Sequence, residues 1–191
     1  MHLYVSFEEL NNILFDDGMG HEAYDAYPFV LQWTTTGASR KALWHAGQVI
    51  CAARSLRPGQ ISDLTAVAMY QASLTFWIYG NVAYTSDTCM FRSLESAAGL
   101  DGSSGSKVDQ WIVSGEGEAA IRGMSKYPDN SGLISVSDPR QVILEIIRVI
   151  QSNHADTDTT PPVIEFLIRR LKEVMTNPLT LRACKAITNT E

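Results

Sequence analysis

Apolar residues recur at helical spacing along most of the chain. Leu3, Phe7, Leu10, Ile13 and Leu14 fall three and four residues apart, which predicts an amphipathic helix stopping near Asp16-Asp17-Gly18. A polar connection passes Tyr24, Tyr27 and Pro28 to the short apolar run Phe29-Val30-Leu31-Gln32-Trp33, whose pattern fits helix and strand equally, and Thr34 to Gly37 reads as a turn. Leu43, Trp44, Gly47, Val49, Ile50 and Ala53 give a broad apolar surface to a helix over Arg40 to Leu56, closed by Pro58-Gly59. Ser62 or Asp63 can cap the next helix, in which Val67, Tyr70, Leu74, Trp77 and Ile78 keep helical spacing as far as Gly80. The short loop between these two helices predicts an antiparallel hairpin.

The pattern then breaks. Residues 84–107 are rich in Ser, Thr, Gly and Asp, including Gly102-Ser103-Ser104-Gly105-Ser106, and read as a flexible loop with a short helix at Cys89 to Ala98. Val108 to Ser125 is mixed, and Pro128-Asp129-Asn130-Ser131-Gly132 is a turn. Two stripes close the chain. Ser137-Asp138-Pro139 supplies a cap and a first-turn proline for a helix carrying Val142, Ile143, Ile146, Ile147 and Ile150. Thr160-Pro161-Pro162 repeats the signal ahead of Ile164, Leu167, Ile168, Leu171, Val174 and Met175. With no repeat period and no two-residue hairpin turn, the expected class is all-α, an irregular bundle of roughly six to eight helices with a Ser/Gly-rich loop in the middle. We divide it into helices within 1–83, the loop 84–107 and C-terminal helices within 108–191.

Composition narrows the function classes. Of 191 residues 45% are apolar and 19% charged, enough to bury a core of one domain or of part of a larger one. Fifteen Lys and Arg against 21 Asp and Glu give a net charge of −6. No basic stripe is present, so this segment is expected to make no direct contact with nucleic acid. Cys51, Cys89 and Cys184 are distant and odd in number, which encodes neither a disulfide framework nor a closed zinc site and fits a reducing compartment. The first residues lack a basic stretch followed by an apolar run, so no secretory signal is read. Leu64 to Ser86 contains no charged residue, a length that could span a bilayer. Gln71, Asn81 and Gly80 interrupt it and no Lys or Arg flanks it, so a helix buried in a bundle outweighs a membrane span.

Candidate chemistry is sparse. Gly115-Glu116-Gly117-Glu118-Ala119-Ala120 has the G-x-G-x-x-A spacing of a dinucleotide turn, follows Trp111-Ile112-Val113, and has Asp138 roughly 20 residues on in the place of a ribose-binding acid. Glu116 and Glu118 would oppose the phosphates there, and a glycine-flanked helix start with both acids at the positive end of the dipole weighs more. His2, His21, His45 and His154 lie in no recognisable nucleophile–base motif, so no catalytic residue is assigned. Asp16, Asp17, His21 and Glu22 cluster without the spacing of a compact metal site, so no metal ligand is assigned either. Trp44, Trp77, Tyr70, Tyr79 and Phe76 could line a pocket between helices but read first as core. Arg169, Arg170 and Lys172 form the one compact basic run and read as a solvated face.

Four blocks in order resemble the C-terminal part of the fungal-specific transcription factor domain, the regulatory region downstream of zinc-finger or zinc-cluster modules. They are Ala42-Leu43-Trp44-His45-Ala46-Gly47-Gln48-Val49, the run Tyr70 to Gly80, Gly115 to Arg122, and Ser137-Asp138-Pro139 with its helix and Pro161-Pro162 opening the last one. The resemblance covers most of Lys41 to Met175. It implies a non-enzymatic helical domain of a nuclear regulator, acting on other parts of the same factor or on transcription-machinery proteins, without catalytic or cofactor residues. It makes Gly115 to Ala120 a structural helix entry. Zinc and DNA binding would then belong to an N-terminal module of a longer parent, and a domain cut from its packing partners would self-associate through exposed apolar surface. Two alternatives stand beside it: a small dinucleotide-binding enzyme built on Gly115 to Ala120, and a helical scaffold unrelated to transcription.

Overall fold

The computed structural model describes residues 30–86, 94–103, 105–123, 132–155 and 160–176. The expected helix at Leu3 to Leu14, the cluster Asp16, Asp17, His21 and Glu22, His2, Cys89, Cys184 and most of the turn at Pro128 to Gly132 lie outside them. The described residues are mostly helical. Residues 30–34 are helical, settling part of the ambiguous run before Thr34, and five longer helices follow. They are α1 (Gly37–Arg54), α2 (Asp63–Ser86), α3 (Ser106–Ser114), α4 (Pro139–Asn153) and α5 (Pro162–Thr176), with a 3₁₀ turn at Leu94–Ser96.

Side chains close these helices where their chemistry requires it. Thr36 caps α1, its hydroxyl accepting from the Ser39 amide at 3.3 Å, so this helix opens three residues before the apolar pattern indicated. Ser62 accepts from the Thr65 amide at 3.3 Å. Asp138 accepts from the Gln141 amide at 3.1 Å with Pro139 in the first turn of α4. Each pairing satisfies an amide that the first helical turn leaves without a partner.

The central element is α2, packed against α1, α4 and α5. It is buried nearly all round: Ala72, Ser73, Leu74, Thr75, Phe76, Trp77 and Ile78, almost two full turns without a break, are all buried. Its buried polar residues are satisfied locally, Ser73 donating to the Met69 carbonyl at 2.8 Å and Thr75 to the Gln71 carbonyl at 3.0 Å, which lets hydroxyls enter the core without an unmade hydrogen bond. Among the described residues no helix is long and apolar enough to cross a membrane. The helix also runs past Gly80, the expected end. A Cβ there would lie 2.6 Å from the Val136 carbonyl oxygen and 2.9 Å from the Pro139 ring, so this glycine admits the turn that leads into α4.

A small sheet departs from the all-α expectation. Strands β1 (Ala98–Gly99), β2 (Ala119–Arg122) and β3 (Leu133–Ser135) lie in that order. β1 runs parallel to β2 with Ala98 opposite Ala119, and β2 antiparallel to β3 with Ile121 opposite Ile134. Residues 98–101, expected within the flexible loop, are thus part of the core: Ala98, Leu100 and Asp101 are buried. The loop lies against α1, where Gln48 donates from Nε2 to the Leu100 and Gly102 carbonyls, each at 2.9 Å.

Candidate functional site

The segment Gly115 to Ala120 differs from both readings of it. Trp111-Ile112-Val113 is helical, being the end of α3, and Gly115 closes that helix in the left-handed conformation, φ +73°, its amide donating to the Trp111 carbonyl. Ala119–Arg122 is then strand β2. The expected helix entry is therefore a helix exit, because glycine is the residue that adopts a left-handed C-terminal cap without strain. A dinucleotide turn runs from strand to glycines to helix; here the order is helix, glycines, strand. Arg40 completes the cap, donating from Nε to Ile112 O at 2.9 Å and from Nη2 to Val113 O at 3.2 Å. Glu118 faces β3 and accepts from the hydroxyls of Ser135 and Ser137, while Asp138 is committed to capping α4.

The strongest concentration of charge lies where α1, β1, β2 and α4 meet. Asp101 and Glu145 are fully buried. Arg54, at the end of α1, reaches between them, donating to the Asp101 carboxylate, to the Glu145 carboxylate at 3.1 Å and to the Arg122 carbonyl. Asp101 also accepts from the Arg122 backbone amide at 3.1 Å, and its carbonyl from the Arg122 guanidinium at 2.6 Å. Arg148 approaches Glu145 to 3.4 Å from the solvent side. Two carboxylates so enclosed and so paired hold four elements together. A second polar clamp joins α4 to the loop before α2: Asn153 donates to the Arg57 carbonyl at 2.9 Å and accepts from the Ile61 amide at 3.0 Å.

The other candidates separate. Phe76, Trp77 and Tyr70 are core, while Trp44 and Tyr79 are half-buried and packed against it. His45 is half-buried on α1, its ring 4.8 Å from that of Trp44, and Cys51 is a free, half-buried thiol. No group of three His, Cys, Asp or Glu that could hold a metal ion occurs among the described residues.

A cleft of about 470 Å³ lies between the end of α4 and α5. Its floor is Ile150, Ile164 and Ile168; Gln151, Thr160, Glu165, Arg169 and Lys172 surround it, and His154 lines it from a buried position. None of the expected aromatic residues borders this cleft. The basic run is divided by the helix. Arg170 pairs with Glu173 at 2.8 Å and hydrogen-bonds Tyr70, whereas Arg169 and Lys172 face the cleft. Sequence reading missed this site because its floor comes from two helices whose apolar stripes each read simply as core.

Burial pushes the phenols of Tyr70 and Tyr79 above their ordinary value of 10.0; Arg170 works against this at Tyr70 and Arg40 at Tyr79, without cancelling it. The folded chain therefore keeps protons that the unfolded chain releases in alkali. This contribution to stability is fully present below pH 10.0 and is lost as pH rises through the elevated folded values. Urea midpoints should fall more steeply from pH 10 upward in the native chain than in Tyr70→Phe/Tyr79→Phe, and equal slopes would remove these tyrosines from the alkaline transition.

Comparison with protein families, with characterised proteins and with solved structures gives no match.

Proposed function

We propose that the chain is a regulatory, non-catalytic helical domain of a fungal transcription factor, acting through protein–protein or intramolecular contacts. The observation that carries this reading is how polar and apolar groups are used. The buried ions Arg54, Asp101 and Glu145 join elements to one another, while large apolar side chains stay exposed on the helices around them, Leu64 on α2, Val113 on α3, and Val163 and Phe166 on α5. That distribution suits a contact surface on a rigid support. The resemblance blocks add to it. Ala42 to Val49 lies within α1 and Tyr70 to Gly80 within α2, and both supply core residues, among them Leu43, Ala46, Leu74 and Trp77.

In this reading DNA recognition and its zinc belong to a separate module of the parent protein, which acts in the nucleus, and this segment sets the activity of that module. Fusing the chain to a heterologous DNA-binding module in a fungal host tests it. Reporter output should change several-fold relative to the module alone, in either direction, while an unchanged output from an intact, nuclear fusion would contradict the reading.

A further inference from the structure

We draw no further inference here: the strongest candidate, the surface patch formed by the exposed apolar side chains of Val163 and Phe166 on α5, carries nothing because nothing in the structure shows what covers it.

Discussion

Replacing Arg54 with methionine should lower stability by about 3–5 kcal/mol, enough to unfold much of the protein at physiological temperature. The reason is asymmetry. Asp101 and Glu145 are buried to 1% and 0% side-chain exposure, and Arg54 is the cation they share. Removing it leaves two buried like charges with only the longer contacts of Arg122 to Asp101 and Arg148 to Glu145, and breaking a buried pair costs far more than forming it contributes. Arg122 and Arg148 compensate only in part, because they are 61% and 59% exposed and reach the carboxylates from the rim at 3.7 and 3.4 Å. Urea denaturation of native and variant chains measures the loss. Adding Asp101→Asn and Glu145→Gln to Arg54→Met should recover part of it, because the charges are gone while the Arg122 amide keeps an acceptor at position 101. A loss below about 1 kcal/mol for Arg54→Met would place the cluster among solvated surface pairs.

Gly47→Ala should also destabilise, by about 2–3 kcal/mol, against the expectation from helix propensity. In an exposed helix interior this change gains up to about 1 kcal/mol. Here Gly47 lies where the β1 loop crosses α1, and a Cβ would meet the Leu100 carbonyl oxygen at 2.4 Å and carbon at 2.6 Å. Those are backbone atoms, so relief requires moving Leu100 and Asp101 together, which disturbs the Gln48 bonds and the Arg54 pairing as well. Overpacking that cannot relax through a flexible side chain is the costly kind. Thermal unfolding of Gly47→Ala checks this, and a Tm at or above the native value would show that the loop does not rest on α1 as described.

The larger helices were legible because each carries its signal locally. The stripe from Val142 to Ile150 follows Asp138-Pro139, and the stripe from Ile164 to Met175 follows Pro161-Pro162; both became helices with those starts. The strands were not legible. β1 and much of β2 are Ala and Gly, residues without a strand preference, and two to four positions are too few to display alternation. Their pairing is decided by the surrounding helices. The Ser/Gly composition of 84–107 likewise concealed Leu100 and Asp101, whose burial depends on partners elsewhere in the chain. The ionic cluster joins residues 47 and 91 positions apart, a separation that local pattern does not reach. One local sign did exist: Glu145 falls three residues after Val142 and four before Val149, on the apolar face of α4, and an acid in that place requires a buried partner. For the cleft, the sign was the different phase of Arg169 and Lys172 relative to Arg170 on α5.

The claim that this domain works by regulatory contact is tested most directly by measuring reporter output from its fusion to a heterologous DNA-binding module, at matched protein level. The account predicts a several-fold change relative to the module alone. An unchanged output from an intact, nuclear fusion would contradict it.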